Sequence, residues 1–98
     1  MTARLATAAR QDLAEAIIFY EQCKKGLSGE FIDDLEQTLG YLYQLPFSGR
    51  GIGRNVRVLP VGYFPHKLVY QPRVDEIFVL AITDKQRSPD YWLRRASK

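Results

Sequence analysis

The alternation of apolar and polar residues divides the chain into one short strand, two helices and three further strands. Residues 2–7 alternate as a single strand would. In residues 8–25 the apolar positions recur at helical spacing and share one face; they are Leu13, Ala16, Ile17 and Tyr20. Residues 28–45 repeat this pattern with the stripe Phe31, Leu35, Leu39 and Leu42. Pro46 then ends the second helix.

The residues between the two helical segments predict where each helix begins and ends. Thr7 and Ser28 are each placed to cap a helix, because a hydroxyl can accept from a free amide of the first turn. Lys24 and Lys25 suit the negative end of the first helix dipole, and Gly26 suits a left-handed stop. We therefore expect two antiparallel helices joined by a short link, an αα-hairpin.

The second half of the chain predicts a loop and three strands. Residues 46–55 contain three glycines without periodicity and are expected to form a loop. Residues 54–61 and 64–71 alternate, which sets Val56 and Val58 against Arg57 and Leu59, and Leu68 and Tyr70 against Lys67 and Val69. Pro60 cannot donate to a ladder, so it is expected at a strand end or an edge.

The last predicted strand, residues 75–83, is apolar on both of its faces. Alternation assigns Ile77, Val79 and Ala81 to one face and Phe78, Leu80 and Ile82 to the other. A strand buried on both faces belongs inside a sheet. The order β-α-α-β-β-β predicts one α+β domain over residues 1–98, with the αα-hairpin on a mostly antiparallel sheet. Ser88 and Pro89 indicate a short C-terminal helical turn.

Composition narrows the range of chemistry. One cysteine and one histidine among 98 residues exclude an internal disulfide and disfavour a metal site, so no metal or cofactor is expected. No apolar run is long enough to span a membrane. Residues 1–49 carry four basic and seven acidic residues, net −3, whereas residues 50–98 carry ten and four, net +6. This asymmetry predicts a surface that attracts anions.

Five segments, taken in order, resemble the RelE/ParE superfamily of type II toxin–antitoxin toxins, and most closely its ParE-like branch. They are ARQDLAEAIIFYEQ, GLSGEFIDDLEQTLGYLYQLP, VRVLPVGYFPHKLVYQ, IFVLAIT and RSPDYW. The resemblance covers nearly the whole chain. It implies two helices packed against an antiparallel sheet, which agrees with the elements predicted from periodicity.

The resemblance also implies a function and partners. It implies a cytoplasmic toxin associated with plasmid stabilisation and growth arrest, neutralised by a cognate antitoxin and contacting operator DNA only through the antitoxin complex. ParE-like members inhibit DNA gyrase by protein contact. RelE-like members cleave messenger RNA on the ribosome, which would make this chain a metal-independent endoribonuclease. A third alternative is an inactive member that binds only antitoxin and operator.

The candidate site residues follow from this comparison. Arg57, Lys67, Lys85 and Arg87 are expected to form one cluster that binds an anion or the target. If the chain is a ribonuclease, its catalytic set is Lys67, Lys85, Arg87 and Tyr91. Val58 and Pro60 fall near the positions where RelE-like nucleases carry lysines, so the part of the site that would supply a base is missing and a binding toxin is favoured.

The remaining chemically notable residues have structural interpretations. His66 neighbours Lys67 in a strand, so it is expected to face the helices or an edge as a structural histidine. Asp84 stands where many ParE-like relatives have a histidine and would add negative charge to the anion site. Cys23 is expected to pack, Trp92 to close the core edge, and Tyr91 to be exposed. Other basic residues near the end of the chain are expected to be solvated; they are Arg94, Arg95 and Lys98.

Overall fold

Two helices cover one face of a five-stranded sheet in the computed structural model, which describes residues 1–84. The elements are β1 Thr2–Leu5, α1 Thr7–Cys23, α2 Leu27–Gln44, β2 Arg50–Gly53, β3 Val56–Pro60, β4 Lys67–Pro72 and β5 Glu76–Thr83. The predicted α+β class and element order are confirmed, with one further strand, β2. The predicted C-terminal turn and Trp92 lie outside the described residues.

The strands lie in the order β1-β5-β4-β3-β2. Consecutive strands from β2 to β5 pair antiparallel, and β1 pairs parallel with β5. Parallel pairing requires a long connection, which here comprises α1, α2 and the strands β2 to β4. Strand β5 has a neighbour on each side, which confirms that the doubly apolar strand lies inside the sheet. Pro60 ends β3, as expected.

The prediction of a loop over residues 46–55 was wrong for its second half, because Arg50–Gly53 forms β2. This strand pairs with β3, and its register shifts between Gly51 and Gly53. Arg54 and Asn55 join the two strands, and both have positive φ. Two such residues suit the tight turn that matches strand twist. The hairpin was missed because its short strand holds two glycines and its turn lacks the usual Asn-Gly pair.

The predicted caps at Thr7 and Ser28 were also wrong, since Ala6 and Gly26 occupy the N-cap positions without side-chain capping. Gly26 is left-handed, as predicted. The Glu21 carboxylate accepts from the Gly26 and Ser28 amides and from the Ser28 hydroxyl, the last at 2.7 Å. These backbone and hydroxyl hydrogen bonds lower the pKa of Glu21. A carboxylate from α1 therefore serves the free amides at the start of α2.

The helices bury their apolar stripes against one face of the sheet. Ala16, Tyr20, Phe31, Leu35 and Leu42 are buried there, and Leu13 and Leu39 are partly buried. The sheet contributes Val61, Leu68, Tyr70, Ile77, Val79 and Ile82 to the same core. Cys23, at the end of α1, was expected to pack but is exposed. Its spacing of three residues from Tyr20 continues the apolar stripe, but Cys23 is the last residue of α1 and is not covered there.

A second apolar cluster lies on the opposite face of the sheet, and a bulge in β5 sets its membership. The cluster holds Val56, Val58, Val69, Leu80 and Ala81. Val69 pairs with Ala81 while Tyr70 pairs with Val79, so Leu80 is an extra residue. The bulge reverses the alternation, and Ile82 joins the helix-facing core. The sequence-based assignment of Ala81 and Ile82 to faces was therefore wrong.

A buried hydroxyl fixes the segment between α2 and β2. The Tyr70 hydroxyl donates to the Pro46 carbonyl at 2.8 Å and accepts from the Gly49 amide at 3.0 Å. Arg57 donates to the Phe47 and Gly49 carbonyls, both at 2.9 Å. Burial raises the pKa of Tyr70. Two side chains from neighbouring strands thus supply hydrogen-bond partners to backbone groups of the segment between α2 and β2, which does not pair with a strand.

We predict that Tyr70→Phe lowers the free energy of unfolding by about 1–3 kcal/mol, because the buried Gly49 amide loses its acceptor. Thermal or denaturant unfolding measures this loss. The matched control is Tyr63→Phe, since Tyr63 is fully exposed and should tolerate the change. Equal stability of the Tyr70 and Tyr63 variants would show that the hydroxyl does not hold the segment.

Candidate functional site

The two described members of the predicted basic cluster lie on opposite faces of the sheet. Arg57 pairs in register with Tyr70, whose side chain belongs to the helix-facing core. Lys67 alternates with Leu68, so it shares the other face with Val69. The structure therefore does not bring Arg57 and Lys67 together.

Arg57 has a local structural role that the sequence did not reveal. Its guanidinium donates to two backbone carbonyls, as described above, and lies 5.1 Å from the centre of the Phe47 ring. This arrangement places its charge beside the segment between α2 and β2. Lys85, Arg87 and Tyr91 lie outside the described residues, so their part in an anion site or a catalytic set stays a prediction.

A second group of basic residues, missed from the sequence, surrounds Phe78. The guanidinium carbons of Arg4 and Arg73 lie 4.3 and 4.2 Å from the centre of its ring. Arg4 donates twice to the Glu76 carboxylate, at 3.1 and 3.0 Å, and Arg73 approaches the same carboxylate at 3.5 Å. The hydrogen bond from Arg4 lowers the pKa of Glu76. Parallel pairing of β1 with β5 creates this group, and alternation alone does not predict such pairing.

His66 packs among aromatic side chains on the helix side, which confirms its structural interpretation. Its Nδ1 lies 2.7 Å from the Tyr20 hydroxyl, and its ring contacts Tyr20 and Phe31 edge-on at 5.3 and 5.6 Å between centres. Burial lowers the pKa of His66, while the charges of Asp84 and Asp12 act in the opposite direction. A neutral, partly buried imidazole is the form that this environment favours.

An acidic cavity of about 230 Å³ opens beside His66, between α1 and the end of β5. Asp12, Glu15 and Asp84 line it. Asp12 also accepts a hydrogen bond from the Ile82 amide at 3.1 Å. Asp84 therefore adds its charge to a group of carboxylates on the helix side. Within residues 1–84, no group of three or more His, Cys, Asp or Glu side chains could hold a metal ion.

The positions that would have to supply a catalytic base hold residues without one. Val58 is buried in the second apolar cluster, and Pro60 ends β3. A general base must lie within hydrogen-bond distance of the proton that it removes. His66, the single histidine of the sequence, belongs to the helix-side aromatic group and not to the face that carries Lys67.

One solved structure supplies a close likeness of fold. A chain of the structure described as "Chromosomal ParDE TA system from P. aeruginosa" superposes with a TM-score of 0.71 at 19% sequence identity, covering 86% of this chain and 95% of that one. The chain shares the fold of this ParDE chain.

Other comparisons find no match. No protein-family model matches the sequence, and no curated protein matches it. No helix among residues 1–84 combines the length and apolar character needed to cross a membrane. The likeness to the ParDE chain, at 19% identity, is therefore a likeness of fold.

We predict that stability falls as the pH is lowered from about 8 to about 5, the range in which histidine titrates. The pKa of His66 is lower in the folded chain than in the unfolded chain, so the unfolded chain binds the proton more readily. The contribution of His66 to the free energy of unfolding is therefore complete above the pKa of the unfolded chain. It is lost as the pH falls through the pKa of the folded chain. Melting temperatures across this range measure the loss. His66→Gln should remove most of the pH dependence, and an unchanged profile in that variant would contradict the assignment.

Proposed function

We propose that this chain is the toxin of a type II toxin–antitoxin system, that it inhibits DNA gyrase by binding it, and that a cognate antitoxin neutralises it. The observation that carries the proposal is the fold shared with a chain of a ParDE toxin–antitoxin system over 86% of this chain. The sequence resemblance to ParE-like toxins supports it independently. Such a toxin acts in the cytoplasm, where gyrase is found.

Binding rather than catalysis is supported by what occupies the expected nuclease positions. Metal-free RNA cleavage needs a base for the 2′-hydroxyl, cations for the phosphorane and an acid for the leaving oxygen. Val58 and Pro60 carry no titratable group, and His66 lies among the aromatic rings of the helix side. Lys67 can attract an anion, and its in-register partners on the neighbouring strands, Pro60 and Thr83, carry no group that titrates near neutral pH.

The surface proposed to contact gyrase is the Lys67 end of the sheet face opposite α1 and α2. Lys67 is half-buried and pairs in register with Thr83, the last residue of β5. Lys85 and Arg87 follow Thr83 closely in the sequence. A cationic side chain set in an apolar sheet face gives orientation as well as charge attraction to a partner.

We predict that the purified chain inhibits gyrase-catalysed supercoiling and that its induction in cells stops growth with DNA-damage signalling. A supercoiling assay at saturating excess of the chain measures the first effect. Undiminished supercoiling together with cleavage of messenger RNA on ribosomes would support the RelE-like alternative instead. Normal growth on induction would support an inactive member.

We predict that Lys67→Glu weakens gyrase inhibition at least about tenfold, which corresponds to about 1.4 kcal/mol, because a repulsive charge replaces an attractive one. The matched control is Lys25→Glu, the same charge reversal at an exposed position beyond α1. The inhibitory concentration in the supercoiling assay gives the comparison. Equal weakening by both variants would mean that overall charge, and not this sheet face, governs the interaction.

A further inference from the structure

An apolar groove lies at the end of the sheet that is remote from Lys67. It has a volume of about 540 Å³ and is formed by the segment after α2, the turn after β2 and the hairpin after β4. Its apolar lining comes from Met1, Pro46, Phe47, Pro72 and Val74. We call this feature the end groove. Its position is distinct from the acidic cavity beside His66, which lies at the opposite end of β5.

The end groove exposes more apolar surface than isolated side chains would. Val74 is 92% exposed and Phe47 is 62% exposed, and the exposed Leu45 continues the surface into an adjoining apolar hollow around Phe47. Contiguous apolar surface of this kind on a small domain marks an interaction site more often than chance exposure. Exposing this apolar surface to water is unfavourable, and a partner that covers the surface removes that free-energy cost.

The walls of the end groove are held in place before any partner binds. Tyr70 and Arg57 fix the carbonyls of Pro46 and Phe47, as described above. The Asn55 side chain donates to the Pro72 carbonyl at 3.0 Å, which ties the β2–β3 turn to the end of β4. A preformed groove loses little conformational freedom on binding, so more of the contact energy remains as affinity.

The charge around the end groove selects the kind of partner. No carboxylate is among its described lining residues, whereas Arg73 lines it and Arg57 lies against Phe47. In the adjoining hairpin, the carboxylate of Glu76 is shared by two guanidinium groups, those of Arg4 and Arg73. The same hairpin also carries the exposed Asp75, so three guanidinium groups, those of Arg4, Arg57 and Arg73, stand against two carboxylates. The net charge of these groups is positive and complements negative side chains. The cavity at the opposite end has three carboxylates and would repel the same partner.

We propose that the end groove binds an acidic amphipathic segment of a partner protein. Apolar side chains of that segment enter between Phe47 and Val74, and its carboxylates face Arg57 and Arg73. Charge complementarity around an apolar floor matches the recognition of amphipathic segments in grooves. The inference rests on the proposed function only for the partner's identity, which would then be the antitoxin tail.

Two synthetic peptides test the chemistry without requiring a known partner. Both place leucines at i, i+3, i+4 and i+7, and the remaining positions are rich in glutamate in one and in lysine in the other. Fluorescence anisotropy with the full chain should show the acidic peptide binding at least about tenfold more tightly than the basic one. Equal binding, preference for the basic peptide or no binding overturns the proposal.

Variants locate the binding surface. Val74→Glu should weaken the acidic peptide at least about tenfold, because it places a carboxylate in the groove at a position that does not support the core. Phe47→Ala should weaken it as well. Tyr63→Glu and Ile18→Glu make comparable changes at exposed positions outside the groove and should leave binding unchanged. If Ile18→Glu weakens the peptide while Val74→Glu does not, the peptide lies on α1 and the proposal is wrong.

The test of the end groove can fail or succeed independently of the test of the proposed function. Gyrase inhibition by wild-type chain tests the function, and peptide binding tests the groove. If an antitoxin co-purifies, Val74→Glu should remain toxic but escape neutralisation. Neutralisation of Val74→Glu equal to that of wild type would overturn the groove as the antitoxin site even where gyrase is inhibited. Selective peptide binding without gyrase inhibition would support the proposed groove and contradict the proposed gyrase inhibition.

Discussion

Strand alternation is the constraint on which the rest of this structure depends. Successive residues of a strand point to opposite faces, so a sheet that packs against helices on one side separates the helix-facing side chains from those of the opposite face. Arg57 falls on the helix side and becomes part of the scaffold, while Lys67 falls on the other side. The bulge at Leu80 shifts the alternation of faces along β5 by one residue, so Ile82 lies in the helix-facing core. Which residues can act together follows from these assignments.

The helix side and the end of the sheet also carry different chemistry. Around His66, aromatic rings and partial burial favour a neutral imidazole, and the nearby carboxylates make that cavity acidic. At the opposite end, Tyr70 and Arg57 hold a segment whose apolar side chains are exposed and surrounded by guanidinium groups. The two ends therefore differ in charge, and a charged partner segment has a physical reason to choose between them.

Much of the fold followed from local patterns, because helices and alternating strands report burial directly. The stripe ending at Tyr20 and the doubly apolar β5 were predictable for this reason. The cap supplied by Glu21, the strand at Arg50–Gly53 and the bulge at Leu80 depend on contacts between distant segments, and their local signals are weak. The candidate site was less predictable still. Alternation correctly placed Lys67 and Leu68 on opposite faces of the sheet. It could not show that the Arg57 guanidinium would donate hydrogen bonds to backbone carbonyls.

The proposed function requires that this chain presents the Lys67 face of its sheet to gyrase. Site-specific photo-cross-linking measures this most directly, with the cross-linker placed at position 67 and, in a second protein, at position 25, an exposed residue between α1 and α2. The account predicts covalent adducts with a gyrase subunit from position 67 and few or none from position 25. Adducts with ribosomal proteins, or gyrase adducts from position 25 alone, would contradict it.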